Sequence, residues 1–375
     1  MGDGRTNLVG MSKEELSQFA RDIGEASYRG AQLHHWLYGR RATSFDAMTD
    51  LGKAFRKRLE ETAAIGAPAL RTRRTSAKDG TVKFLFALED GLKVESVLIP
   101  PASAFRKGDE EGDEEQDRLT LCVSTQVGCP LDCAFCATGT MGFARNLTAG
   151  EIVGQVLASG RETKKKITNV VFMGMGEPLL NYEAAMKAAG ILTRGLGISA
   201  RRITVSTAGR ADRIRRMADE NLRVRLAVSL HSAVDATRTR LMPINRKYGI
   251  PVLMEALEYY YRKTKQRVTY EVIFFDGVND GPADVRRLIA LARRIPSKIN
   301  IIPFHAIAFT HPGGFAATLA PSPRMEAIAG ELRAAHLTVM VRTSAGEDID
   351  AACGQLALSG ERRDHPAGRR LTAAG

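Results

Sequence analysis

The side chains here best suited to unusual chemistry are five cysteines: Cys122, Cys129, Cys133, Cys136 and Cys353. Three of them form Cys129-x3-Cys133-x2-Cys136 directly after an apolar, β-branched run. Thiolates at that spacing can converge on one metal centre. Structural zinc wants a fourth protein ligand, and no neighbouring Cys or His supplies one. An iron–sulfur cube takes four ligands, so a three-cysteine loop leaves one iron open to a substrate or cofactor. The plain alternative is three buried apolar thiols, and the spacing argues against it. The odd cysteine total argues against a disulfide framework, and the N-terminus has no charged-then-apolar signal. A reducing compartment, the cytoplasm, is expected.

Further polar groups fall at the ends of apolar runs. Gly174-Met175-Gly176-Glu177-Pro178 closes the second run. Glycines let backbone approach a ligand closely, and a carboxylate can take an ammonium group. A dinucleotide-binding turn would want a third glycine at position 179, where leucine stands. Ser206 ends the third run, and Ser229-Leu230-His231 ends the fourth. Each alone is an ordinary polar strand end. Gathered on one rim, they make a site.

The elements that would gather them follow from periodicity. Apolar runs at 119–123, 167–173, 203–206, 224–230, 268–275, 299–304 and 337–341 alternate with helical patterns near 148–160, 183–194, 210–219, 251–264, 283–294 and 322–335. Thr148 and Glu151 have capping-box spacing at the start of the first helix. Such alternation predicts an α/β fold, a parallel sheet wrapped by helices as a full or partial barrel, with an open doubly wound sheet as the competitor. In either, sites collect at the C-terminal strand ends. Before this region, residues 82–88 and 94–99 read as two strands about a turn. Earlier still, Leu16, Phe19, Ile23, Leu33, Trp36, Leu37, Phe55 and Leu59 recur at helical spacing. The expected division is a helical module at 1–65, a β-hairpin connector with an acidic loop at 66–117, a core at 118–346 and a C-terminal segment at 347–375.

The chain has 375 residues, 44% hydrophobic and 26% charged, with a net charge of +12. That composition excludes collagen, coiled coil and wholesale disorder. The longest uncharged stretch, 299–323, is broken by Pro303, Pro312 and Gly313-Gly314, so no membrane span is expected. Basic residues cluster at Arg71/Arg73/Arg74, Lys164–Lys166, Arg201/Arg202, Arg213/Arg215/Arg216 and Arg262/Lys263/Lys265/Arg267. This favours a polyanionic partner, with a merely solubilising surface as the alternative. Acids gather instead at 109–117, which reads as a solvated loop.

The three-cysteine loop, its place after the first core strand and the βα alternation together resemble the radical S-adenosylmethionine (SAM) enzymes, and Phe135 matches an aromatic common in that loop. The resemblance narrows further. Cys122-Val-Ser-Thr-Gln-Val-Gly-Cys129, the Gly-Met-Gly-Glu-Pro turn, Ser229-Leu-His231, Met242-Pro-Ile-Asn245 and Asp348-Ile-Asp-Ala-Ala-Cys353-Gly-Gln-Leu are similar to the RlmN-type adenine-C2 RNA methyltransferases. The related Cfr branch methylates adenine C8. The likeness runs from about Leu8 to Leu356 and takes in the helical module, which resembles an RNA-binding accessory domain.

The resemblance implies a partial (βα)6 TIM-like barrel, one [4Fe-4S] cluster held by Cys129, Cys133 and Cys136, and two SAM molecules per turnover. The open iron would chelate one SAM, cleaved on reduction to methionine and a 5′-deoxyadenosyl radical. Gly176, Glu177, Ser206, Ser229, Leu230, His231 and His305 would form the SAM pocket. His305 stands where the family typically has an Asn, a departure that imidazole's hydrogen-bonding capacity can accommodate. Cys353 would carry a methyl group taken from the first SAM, and Cys122 would resolve the protein–RNA adduct through a transient disulfide. Two cysteines remain beyond the cluster set, the number that a carrier and a resolving thiol require. Glu95, in Val94-Glu95-Ser96, matches the position of the base that takes the ring proton. Implied partners are 23S rRNA at the peptidyl-transferase centre, tRNA beside the anticodon, and an external electron donor; with no interface signal in the sequence, a monomer is expected. C8 methylation and a non-catalytic iron–sulfur RNA-binding protein are the other readings.

Overall fold

The computed structural model describes residues 4–101, 118–307 and 310–358. The acidic run at 109–117 and the basic tail after 358 lie outside the described residues.

The N-terminal helices form because their apolar stripes find partners. Ser12 and Glu15 cap the Lys13–Asp22 helix reciprocally, and its buried face is Leu16, Phe19 and Ala20. These pack with Leu33, Leu37 and Tyr38, and with Phe55 and Leu59 of the Lys53–Thr62 helix. Strands β1 (Thr6–Asn7) and β2 (Ala63–Ala64) pair in parallel and close the module. It docks on the core by backbone contact. A Cβ on Gly10 would lie 2.3 Å from the Gly150 amide nitrogen, so Gly10 must stay glycine.

The core is one sheet whose order, among the described residues, is β14-β13-β12-β11-β10-β9-β6-β5-β4-β3. Its parallel strands are β6 (Thr120–Cys122), β9 (Asn169–Phe172), β10 (Ile203–Thr207), β11 (Arg225–Ser229), β12 (Val268–Val272), β13 (Ser297–Ile301) and β14 (Val339–Val341). Helices lie between them at Ala149–Thr163, Tyr182–Arg194, Ala211–Glu220, Ile250–Thr264, Pro282–Ala292 and Met325–Ala334. Strand order follows chain order and the sheet ends in open edges, so the barrel is partial, as expected for a radical SAM α/β fold. The Thr148–Glu151 capping box is present. Along β11, Leu226 and Val228 are buried, whereas Ser229 opens toward the site.

The connector holds more than a hairpin. Strands β4 (Val82–Ala87) and β5 (Lys93–Ile99) are joined by β3 (Ala69–Thr75), and all three extend the main sheet antiparallel. The pattern missed β3 because it is an exposed edge strand carrying Arg71, Arg73 and Arg74, with no apolar alternation to read. A further small hairpin, β7 (Gln126–Gly128) with β8 (Phe143–Asn146), brackets the cysteine loop. Among the described residues no helix is long and apolar enough to cross a membrane.

Candidate active site

Two cavities open at the C-terminal strand ends. The first, about 140 Å³, is lined by Cys129, Cys133 and Cys136 together with Gly176, Glu177, Ser206, Ser229 and His231. The second, about 50 Å³, is lined by Cys122, His305 and Arg342. Cys353 lines both.

The cysteine loop is fixed locally by tight backbone geometry. Gly128 has φ +77°, and a Cβ there would fall 2.0 Å from the Gly142 carbonyl oxygen. The Cys129 amide donates to that carbonyl at 2.8 Å, and the Cys136 amide donates to the Cys133 carbonyl at 3.1 Å. Burial pushes the Cys129 thiol up to about 12, and neighbouring negative charge at Cys136, Glu177 and Asp132 pushes the same way. Cys133 is raised well above its ordinary value by burial and neighbouring negative charge. Three soft sulfur donors, two of which resist ionising, fit a cationic iron centre, whose charge would offset the repulsion between thiolates. Among the described residues no three metal-binding side chains close tightly enough for a single ion. A cube needs no such convergence, because it presents a separate iron to each thiolate.

The rim groups differ in what they leave free. The Glu177 carboxylate already accepts from the Leu179 amide at 2.9 Å and the Ala208 amide at 2.7 Å. Burial raises its pKa despite those bonds. It therefore joins the turn after β9 to the end of β10 while lining the cavity. His231 sits at φ +53° with its ring 4.4 Å from that of Phe135. Its Nδ1 accepts from the Ile273 amide at 3.2 Å. Burial, seconded by Arg238, lowers its pKa to about 3, so the imidazole is neutral and its Nε2 hydrogen is a donor. Leu230 is fully buried and absent from the lining; its amide donates to the Glu271 carbonyl at 3.0 Å. His305 faces the second cavity rather than the first, with Nδ1 3.5 Å from Glu347.

Arg238, which sequence reasoning passed over, underlies this rim. It is 0% exposed and donates to the carbonyls of Leu230, Ala208 and Ser229 and to Asn245 Oδ1. The Met242-Pro-Ile-Asn245 motif thus supplies one acceptor for the cation that ties β10 to β11. Glu271 was missed as well. It lines the first cavity, burial raises its pKa, and Asn300 donates to it at 2.7 Å.

In the second cavity burial pushes the Cys122 thiol up to about 12, and a Cys353 thiolate would raise it further. Cys353 keeps an exposed surface although protein surrounds it at longer range. That surrounding raises its pKa, and the Arg342 guanidinium opposes the rise at both thiols. Val97, on the face of β5 that bears Glu95, is the cross-strand partner of Cys122. Glu95 is 2% exposed and lines neither cavity. Its Oε1 is 3.2 Å from Lys83 Nζ, and its Oε2 accepts from the Leu358 amide at 3.2 Å. The structure thus gathers every expected cysteine and rim residue at one end of the sheet, with Glu95 under a cover of chain.

The description "Radical SAM superfamily" fits residues 123–289, and "Ribosomal RNA large subunit methyltransferase N-terminal domain" fits residues 6–65. Similar proteins include the probable dual-specificity RNA methyltransferase RlmN of Salinibacter ruber, 43% identical over 365 residues and covering 95% of each chain. The dual-specificity RNA methyltransferase RlmN of Geobacter sulfurreducens is 45% identical over 359 residues, covering 94% of this chain and 92% of its own. A radical SAM methyltransferase from Sphaerobacter thermophilus superposes with a TM-score of 0.82 at 40% identity, covering 94% of this chain and 99% of its own. With both regions matched and near-complete coverage, the chain belongs to the RlmN family of radical SAM RNA methyltransferases.

Proposed function

We propose that this enzyme forms 2-methyladenosine in RNA by a thiol relay, with 23S rRNA at the peptidyl-transferase centre and tRNA beside the anticodon as substrates. The observation that carries the proposal is the position of Cys353, which lines both the cavity of the three cluster cysteines and the cavity of Cys122. A carrier thiol has to meet a methyl donor on one side and a resolving thiol on the other.

Cys129, Cys133 and Cys136 would hold one [4Fe-4S] cluster, with Gly176, Glu177, Ser206, Ser229 and His231 around SAM, buried Leu230 behind them and His305 beside the relay cavity. The loaded centre supplies one-electron chemistry, the removal of a hydrogen atom from a group that acid–base chemistry leaves inert. The ring carbon needs it, because adenine C2 is electrophilic and cannot displace a methyl group from a sulfonium. The chain's own residues do the rest. The Cys353 thiolate, favoured by Arg342, takes a methyl group from a first SAM and becomes a thioether. After hydrogen removal by way of a second SAM, the resulting methylene radical on Cys353 bonds to C2. Glu95 takes the ring proton while the adduct radical gives up its unpaired electron to the one-electron centre that the three cluster cysteines would hold, which restores the aromatic ring. The Cys122 thiolate then attacks the Cys353 sulfur. An S–S bond forms as the S–CH2 bond breaks, and the released carbon takes a proton to become the methyl group.

The basic clusters divide by partner. Arg215, Arg216 and Lys263 are within 4.0 Å of Glu255, Glu183 and Asp219, respectively. Exposed Arg71 and Lys164–Lys166 are better suited to phosphates. The target adenine must be unstacked to enter. The proposed division is an RNA-binding accessory module at 1–65, a connector at 66–117, the core at 118–346 and the carrier segment at 347–375. The protein would work in the cytoplasm as a monomer fed by an external electron donor.

The test is nucleoside mass spectrometry after an anaerobic reaction of reconstituted enzyme, SAM, reductant and rRNA from a strain lacking the modification. 2-Methyladenosine is expected, with none from Cys353→Ala and a denaturation-resistant protein–RNA adduct from Cys122→Ala. 8-Methyladenosine would overturn the ring position. No methylated adenosine despite SAM cleavage would overturn the substrate.

A further inference from the structure

Lys83 is the second residue of β4, yet it is only 4% exposed. Its ammonium lies 3.2 Å from Glu95 Oε1 and donates to the Asp350 carbonyl at 3.0 Å. The other Glu95 oxygen accepts from the Leu358 amide at 3.2 Å. Asp350 and Leu358 flank Cys353 in sequence. Both ends of the carrier turn therefore hang from one buried ion pair between neighbouring strands of the sheet.

We propose that Lys83 is a positioning residue that couples the charge state of Glu95 to the seating of the Cys353 segment. The inference rests on the relay reading above. While Glu95 is ionised, two charges satisfy each other in a place where either alone would be strongly disfavoured. The Leu358 amide then has a charged acceptor and the Asp350 carbonyl a charged donor, both stronger than neutral bonds. The carboxylate is also covered, because the 350–358 chain lies over it. When the ring proton moves to Glu95, its C–H electron pair stays with the adenine and the carboxylate loses its charge. The Leu358 amide keeps only a neutral acceptor, and the Lys83 ammonium loses the negative charge of Glu95 beside it. The hold on the carrier turn weakens at the stage when Cys122 has to approach the Cys353 sulfur. Base and resolving thiol are thereby linked without touching: Glu95 shares a strand face with Val97, the cross-strand partner of Cys122.

Replacing Glu95 with glutamine imitates the protonated carboxyl, and replacing Lys83 with methionine removes the cation while keeping much of the stem. In full-length reconstituted protein without RNA, hydrogen–deuterium exchange across 350–358 should quicken about tenfold in both variants, as expected for loss of charge-assisted bonds. Lys83→Arg should restore slow exchange. In single turnover, Lys83→Met should still cleave SAM while Cys353 loading and adduct release fall out of step. Lys83→Arg should recover much of their timing.

Unchanged exchange across 350–358 in Glu95→Gln would overturn the coupling, and that readout survives even if Lys83→Met fails to fold. Failure of the relay itself would show differently, as wild-type protein carrying no S-methyl on Cys353 and forming no RNA adduct in the Cys122→Ala background.

Discussion

Replacing Arg238 with methionine tests how the site's rim is held. Methionine keeps much of the stem's volume and removes every donor. The guanidinium donates to Leu230 O at 3.2 Å, Asn245 Oδ1 at 2.6 Å, Ala208 O at 2.7 Å and Ser229 O at 3.1 Å. Each buried acceptor left without a partner costs about 1–3 kcal/mol, so a middle value for the set is about 8 kcal/mol. An opposing contribution comes from the cation itself, whose pKa burial lowers to about 10. Removing so disfavoured a charge returns about 3 kcal/mol at about 1.4 kcal/mol per unit. The net expectation is a loss of about 4–5 kcal/mol, moderated where water enters to satisfy a carbonyl. Because Ala208 and Ser229 line the first cavity, SAM affinity should fall with stability. Anaerobic urea denaturation followed by circular dichroism gives the first quantity, and equilibrium binding of SAM to the surviving folded protein gives the second. A loss under about 1 kcal/mol with SAM affinity intact would refute the view that this cation holds the rim together.

Other consequences concern pH and salt. His231 titrates near 3 in the native protein, against about 6.5 in an unfolded chain. Only the unfolded state gains a proton between those values, so stability should fall as pH drops through the window, by about 2 kcal/mol at about pH 5. The difference in unfolding free energy between wild type and His231→Asn, measured at several pH values, should show that slope. Burial raises the Cys353 thiol, so methylation of Cys353 should accelerate up to about tenfold per pH unit between about pH 7 and pH 8.5. A flat profile by intact-protein mass spectrometry would mean that a thiolate is already present at neutral pH. RNA affinity should fall steeply with salt, and charge reversal of Lys164–Lys166 should flatten the slope where reversal of Arg216, already paired with Glu183 and Glu220, leaves it nearly unchanged.

The sequence was most legible where the signal is local. Thr148 and Glu151 cap a helix because the reciprocal bonds involve residues three apart. The seven parallel strands were readable because buried strands concentrate apolar, β-branched residues. Lys83 and Arg238 were unreadable for the opposite reason. Lys83 alternates with apolar neighbours as a solvated strand residue would, and the carbonyl that receives it comes from position 350. Arg238 sits in a short helix among Thr and Arg residues, and its carbonyl acceptors lie on two other segments. Glu177 was read as a ligand for an ammonium group, and no local pattern showed that backbone amides from two segments would take up much of its capacity. Glu95 entered only through resemblance, since a charged residue in a strand is usually a solvated one.

The antiparallel extension of the sheet is where the proposed relay would find its support on a partial barrel. A parallel strand ends at the rim, so side chains from β9 to β13 reach a ligand there and go no further. The carrier segment needs support beside the barrel mouth, and β3, β4 and β5 provide it by continuing the sheet past β6. From that platform Asp79 accepts the Gly346 amide at 2.8 Å, and the Ala77 amide donates to Asp348 at 3.2 Å. From the cluster loop the Ala137 amide donates to Gly354 O at 2.7 Å, and the Thr138 hydroxyl donates to Leu356 O at 2.6 Å. Cys353 is thus suspended between a platform that carries Glu95 and pairs with the Cys122 strand, and a loop that presents Cys129, Cys133 and Cys136. Closing the barrel with another parallel strand in place of the platform would leave the carrier turn anchored on one side only. The antiparallel continuation of the sheet beyond β6 is therefore a support for the proposed chemistry as well as a feature of the fold.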